Sequence, residues 1–214
     1  MIKKFEKNTK GRDFVCGDIH GCFTDLENEL SKIGFDELKD RLFSVGDLAD
    51  RGPESFRAID FIKKPWFHPV LGNHEEMFLQ CWVHRNEPVM WHYINGGEWV
   101  KDLSFEQLEE YKKEVEKLPL IIVVGNVLVC HSMLPDTDFE TIEKNIGSLK
   151  DFIIWARDET FSGGAHGFVT YAGHTIHKDI VRYGNIIDID TGAFLKYWDQ
   201  EDGHLTVVEI TNQE

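Results

Sequence analysis

FVCGDIHG, residues 14–21, decides how the rest of the chain is read. Phe14-Val15-Cys16 is an apolar run of the length of a buried strand. It stops at once in Asp18 and His20, a carboxylate and an imidazole set between two glycines. A turn alone needs neither group. The arrangement recurs downstream: RLFSV (41–45) runs into GDLADRG, WFHPVL (66–71) into GNHEE, VLVC (127–130) into His131, and GFVTYA (167–172) into Gly173-His174. Five strand-like runs thus end in groups that can bind metals or anions: Asp18 and His20; Asp47, Asp50 and Arg51; Asn73 and His74; His131; His174.

Between the first runs lie helix-compatible stretches, TDLENELSKI and EEMFLQCWVHR, so strands alternate with helices and an α/β fold with βαβ units is expected. In such a sheet the carboxyl ends of the strands open on one crevice, where residues far apart in sequence can meet. A glycine immediately precedes Asp18, Asp47, Asn73 and His174, permitting tight turns and close backbone approach. Further strands are predicted in LPLIIVVGNVLVCH, a hairpin turning at Gly125-Asn126, and in NIIDIDTG. FLKYWDQEDGHLTVVEI reads as another hairpin, turning at Asp202-Gly203. That many strands predicts two packed mixed β-sheets flanked by helices, in a single domain over 1–214. Residues of about 75–118, mostly helical and acidic, are expected to form a cap within it.

Composition narrows the functions open to such a crevice. With 214 residues, 42% of them hydrophobic, the chain can build one substantial core. No apolar run approaches the roughly 20 residues of a membrane span, and MIKKFEKNTKGRD lacks the apolar segment of a signal peptide. A cytoplasmic, monomeric protein is expected. A net charge of -15 disfavours general attraction to nucleic acid or anionic membrane. The cysteines Cys16, Cys22, Cys81 and Cys130 form no C-x-x-C and begin no C-x5-R loop, which excludes a cysteine-nucleophile phosphatase and predicts reduced packing thiols.

Carboxylate, amide and imidazole together suit manganese, iron or zinc rather than a thiolate-selecting ion. The set is too large for one metal that keeps open positions, and suits two metals roughly 3.5–4 Å apart bridged by a carboxylate. Each piece alone has a plainer reading: Asp18 as a turn cap, Asn73 as a helix N-cap, His131 as a satisfied core histidine. Their joint recurrence, each after an apolar run, favours the metal site.

GDIHG, GDLADRGPES, GNHEE, the strand-borne His131 and GHT resemble the ordered motifs of the metallophosphoesterase superfamily. The arginine of GDLADRG is similar to that of its phosphoprotein phosphatase branch. PWF, NGGEW (95–99), LPLII, Trp155-x-Arg157 and IDTGA extend the resemblance, over nearly the whole chain, to the compact serine/threonine phosphatases of bacteria and bacteriophage lambda. The resemblance implies a calcineurin-like fold and two divalent metals, manganese first, with iron, zinc or cobalt as alternatives. Asp18 and His20 would hold one metal, Asp47 would bridge, and Asn73, His131 and His174 would hold the other. Arg51 and Arg157, with Asn73 and His74, would engage the substrate phosphate. His74 would be the general acid, oriented by Asp50, and a metal-bound hydroxide the nucleophile, without a phosphoenzyme. Partners would be a phosphorylated protein or peptide, or a small phosphate ester.

Leu71 stands where that branch usually has arginine, Ser132 where a small residue usually follows the histidine, and His177 lies one position too far for a G-H-x-H ligand. Leu71 favours the symmetrical diadenosine tetraphosphate hydrolases, which resemble the chain through VLGNHE. Asp50 favours the protein phosphatases, because the hydrolases usually carry alanine there. A domain that only binds phosphorylated partners would gain nothing from a His74–Asp50 pair, and a nuclease would need a basic, aromatic-bearing groove. The aromatic segment PVMWHYINGGEW (88–99) either borders the groove or packs into the cap, with Asn95-Gly96-Gly97 nearest the metals. His68, His84, His92, His166 and His204 have no motif context and receive no role.

Overall fold

A computed structural model describes residues 1–83, 92–157, 163–198 and 202–210. The predicted strand before each motif forms. β2 (Asp13–Cys16), β3 (Arg41–Ser44) and β4 (Phe67–Pro69) pair in parallel, and β12 (Val207–Glu209) adds antiparallel to β2, giving the order β12-β2-β3-β4. A second, six-stranded sheet has the order β1-β5-β6-β9-β11-β10. Its members are β1 (Ile2–Phe5), β5 (Ile121–Val124), β6 (Val127–Cys130), β9 (Val169–Ala172), β10 (Val181–Tyr183) and β11 (Ile186–Asp188). A short pair, β7 (Thr137–Asp138) and β8 (Ala165–His166), stands apart.

Period-two alternation sorts the side chains into layers. Val15, Phe43, Ile122, Val124, Val127 and Val129 share one apolar cluster drawn from both large sheets. Their neighbours Phe14, Cys16, Leu42, Ile121, Leu128 and Cys130 belong to the larger cluster, which takes in the helices. Both faces of these strands are therefore covered, which is why the strands read as continuous apolar runs. Helix α1 (Phe23–Lys32) buries Phe23, Leu26 and Leu30 at helical spacing. α2 (Ala58–Phe61) and α3 (Asn73–Val83) follow, and α4 (Phe105–Val115) starts at a Ser104–Gln107 capping box and buries Tyr111 and Val115. α5 (Phe139–Asn145) and α6 (Lys150–Trp155) complete the set, with Ile142, Ile153 and Ile154 buried. Among the described residues no helix is long and apolar enough to cross a membrane.

Two expectations change. The hairpin read over FLKYWDQEDGHLTVVEI does not form: Ala193–Trp198 is a 3-10 helix, and β12 pairs with β2 instead. The reason is Phe194, buried edge-on against the His20 ring 5.0 Å away, which turns the segment inward where a strand would run past. β1 was not anticipated, because Ile2-Lys3-Lys4-Phe5 carries two lysines; its parallel pairing with the apolar β5 supplies the order its own pattern lacks. His84 and Arg85, at the end of the predicted helix, Trp91 of the aromatic segment, and residues 199–201 lie outside the described residues. None of the four cysteines is in a disulfide, and burial pushes the Cys16 thiol up to about 12, as expected of packing groups.

Candidate dinuclear metal centre

The loops that leave β2, β3, β4, β6 and β9 bring Asp18, His20, Asp47, Asp50, Asn73, His74, His131 and His174 together, every one buried. Backbone conformation marks the same place. Among the described residues the non-glycine positions with positive φ are His20 (43°), Asp47 (49°), Asp50 (72°), Arg51 (68°) and His174 (73°). Left-handed backbone costs an ordinary residue about 1–2 kcal/mol, so the surrounding fold holds these loops against their local preference. Gly72 shows how closely they approach: a Cβ there would stand 2.2 Å from Asp47 Oδ1.

Two groups of potential ligand atoms share Asp47: His20, Asp47 and His74, and Asp47, His131 and His174. The imidazoles are already oriented. His131 Nδ1 donates to the Val45 carbonyl at 2.7 Å, His20 Nδ1 to the Ala49 carbonyl at 3.0 Å, and His174 bonds the Trp155 backbone. Burial keeps all three neutral, pulling His20 well below its usual range, His131 below it and His174 to about 3. Each ring therefore has one lone pair left. His131 Nε2 turns that lone pair toward Asn73 Oδ1 at 2.7 Å, His174 Nδ1 at 3.2 Å and Asp47 Oδ1 at 3.4 Å. Acceptors crowded against acceptors are unfavourable unless a cation is shared between them, so this donor set fits a metal.

Asp18 gives the same indication. Burial, then the neighbouring Asp190, Asp47 and Asp188, push its carboxyl far above the ordinary carboxylate range. A divalent cation would offset that buried negative charge. Asp18 accepts from the His174 N–H at 3.2 Å and stands 4.0 Å from His20 Nε2, just outside the compact group to which it was assigned, whereas His74 Nε2 falls inside it, 3.8 Å from Asp47.

Residues 14–206 match the sequence model of the calcineurin-like phosphoesterases. Serine/threonine-protein phosphatase 1 of Salmonella typhimurium is 32% identical over 98% of this chain and 97% of its own length. The chain belongs to the calcineurin-like phosphoesterase family. It is a metal-dependent phosphatase of that family, and the family's centre holds two divalent metals. A yeast protein serine/threonine phosphatase superposes with a TM-score of 0.70 at 20% identity, over 99% of this chain and 76% of that one. The symmetrical bis(5'-nucleosyl)-tetraphosphatase of Actinobacillus succinogenes is 40% identical, but over only 32% of this chain and 26% of its own.

In this phosphoesterase the remaining predicted groups surround the two donor clusters. Arg51 Nη1 lies 2.9 Å from His20 Nε2, with its guanidinium over the Phe194 ring. Arg157 is exposed at the rim, and its Nη2 donates to the His174 carbonyl at 3.3 Å. His74 Nδ1 meets Asp50 Oδ2 at 2.7 Å, and its Nε2 is buried without a hydrogen-bond partner. His177 lies outside both donor groups, 3.2 Å from Tyr183 Oη and 3.6 Å from Asp188.

Three groups were missed in the sequence. Glu75 accepts from the backbone N–H groups of Asp47, Leu48 and Gly72 at 2.8–3.0 Å, tying the second motif to the third. Burial, then the charge of Asp47, push its carboxyl up to about 8. The signal was its place after His74 in GNHEE. His92 and Trp99 both reach Asp50: His92 stood in no motif, and Trp99 closes NGGEW, which carried the resemblance but no role for this side chain.

Proposed function

We propose that this phosphatase removes phosphate from serine and threonine residues of phosphoproteins. The observation that carries the proposal is the buried His74–Asp50 pair with His74 Nε2 unpartnered. An alkoxide is a poor leaving group, and an acid placed at its oxygen answers that difficulty. The likeness to bacterial serine/threonine phosphatases over nearly the whole chain supports the same reading, because the curated tetraphosphatase relatives match in sequence over only about a third of it.

In this reading Asp18, His20 and Asp47 would hold one cation, and Asp47, Asn73, His131 and His174 the other, with manganese the proposed metal. Such a pair supplies a deprotonated water as nucleophile and offsets charge on the phosphoryl group. The chain's own residues do the rest. Arg51 and Arg157 present planar forks to the phosphate oxygens, which places phosphorus in the crevice. As the bond from phosphorus to the seryl oxygen breaks, that oxygen takes the proton from His74 Nε2. Asp50 holds the ring by Nδ1 and stabilises its charged form before transfer.

The deciding experiment compares turnover of a phosphoseryl peptide and of diadenosine tetraphosphate by chelator-stripped protein before and after manganese is restored. The proposal expects metal-dependent release of inorganic phosphate from the peptide at the higher kcat/KM. Cleavage of the dinucleotide with the peptide untouched would replace it by the tetraphosphatase reading.

A further inference from the structure

Asp50 gathers three side-chain donors. Its two oxygens receive His74 Nδ1 at 2.7 Å, His92 Nε2 at 2.9–3.0 Å and the Trp99 indole Nε1 at 2.6 Å. The first donor lies in GNHEE. The other two come from the segment HYINGGEW, residues 92–99, which crosses the loop carrying Asp50 and Arg51. The same segment fixes that loop's backbone, because the Arg51 N–H donates to the Gly96 carbonyl at 3.2 Å. It also closes tightly on His92, since a Cβ at Gly97 would stand 2.3–2.4 Å from the ring atoms. His92 is buried, and its ring hydrogen-bonds Cys81 on α3 as well.

A buried carboxylate with a single partner can rotate about its χ2 angle or take up a proton, and either change releases the imidazole it orients. Three donors prevent both. Burial alone would raise the Asp50 carboxyl, yet the hydrogen bonds from His74 and His92 hold it below the ordinary carboxylate range. The side chains of His92 and Trp99 thus face Asp50, and the segment that carries them neither merely fills the cap nor reaches for substrate through these two residues.

We infer that His92 and Trp99 are positioning residues for leaving-group protonation: they lock Asp50 so that His74 Nε2 stays aimed at the departing oxygen. The inference rests on the reading of His74 as proton donor. It predicts a particular kind of defect. Loss of either donor should slow substrates whose leaving oxygen needs a proton and spare those whose leaving group departs as a stable anion.

The test measures kcat on a phosphoseryl peptide and on 2,4-dinitrophenyl phosphate for Trp99→Phe, His92→Leu, His92→Gln and His74→Asn, with metal content determined for each. Trp99→Phe and His92→Leu are expected to lose about tenfold on the peptide and less than about twofold on the activated ester, at unchanged metal content. His92→Gln, whose amide can still donate near the Nε2 position, is expected to recover most of the loss. Equal losses on both substrates, or none on either, in a folded variant would overturn the inference; His92→Leu serves if the indole variant misfolds. If His74→Asn shows the leaving-group dependence and the His92 and Trp99 variants do not, the inference falls and the role of His74 stands. If His74→Asn slows both substrates alike, the proton-donor reading falls, and the inference with it.

Discussion

Between the two sheets, Val15, Phe43, Ile122 and Val129 are apolar side chains on extended strands. At the strand ends Asp18, Asp47, His131 and His174 are equally buried, but they are charged or polar, and Asp47 and His174 have left-handed backbone. The strand interior is where local preference, packing and solvation agree. The crest of loops violates all three, with acceptor facing acceptor and a carboxyl such as Asp18 driven far from its ordinary range. Stability invested in the first region holds the second in place, as expected where a site is preorganised for ions and phosphate.

Mutations should separate the two regions. The largest effect is expected from Asp47→Asn, which keeps the shape and removes the charge shared by both donor groups. Turnover should fall by more than about 10⁴-fold, or about 5.4 kcal/mol of barrier, and bound metal, read by elemental analysis, below two per chain. The melting temperature should not fall, because a buried charge has been removed. A drop in melting temperature without loss of metal would make Asp47 a structural residue.

The reverse pattern is expected in the core. Phe43→Ala should cost about 3–5 kcal/mol of unfolding free energy in denaturant titrations, while kcat in the cold stays within about twofold. A large catalytic loss there would mean that the crest leans directly on this ring.

His74→Asn should lower kcat on a phosphoseryl peptide by about 10²–10³-fold with two metals retained. Because His74 Nε2 falls inside the first donor group, loss of one metal along with activity would assign it to ligation instead.

The smallest effect belongs to His68, which stacks on Phe5 at 4.6 Å and Phe43 at 5.5 Å. Burial, then the charges of Lys3 and Arg41, lower its folded pKa to about 4, against about 6.5 in an unfolded chain. Between those values the unfolded chain binds a proton that the folded chain refuses, so stability falls as pH drops through that window. His68→Phe should therefore lose less melting temperature than the parent between about pH 7.5 and about pH 5. An equal loss in both would show that the ring is solvated.

What could be read in advance follows the range of the forces involved. Strands β2, β3, β5 and β6 and helices α1 and α4 were legible because burial on one or both faces imposes a period on neighbouring residues. β1 was not, since its order comes from β5, more than a hundred residues away. The Ala193–Trp198 helix was not, since only the His20 ring explains why Phe194 turns inward. At the site, Asp18, His20, Asp47, Asn73, His131 and His174 could be named because each stands where a strand must end, and chemistry of that kind is costly there without a purpose.

The sequence by itself determined which strands form, which residues crown them and the family to which their motifs belong, because those properties reside in short contiguous stretches. The tertiary structure alone decided that His74 enters the first donor group while Asp18 stands at its edge, that Glu75 ties two loops together, and that His92 and Trp99 hold Asp50. Those are distances between segments that share no local pattern, set by how two sheets pack and where their loops meet.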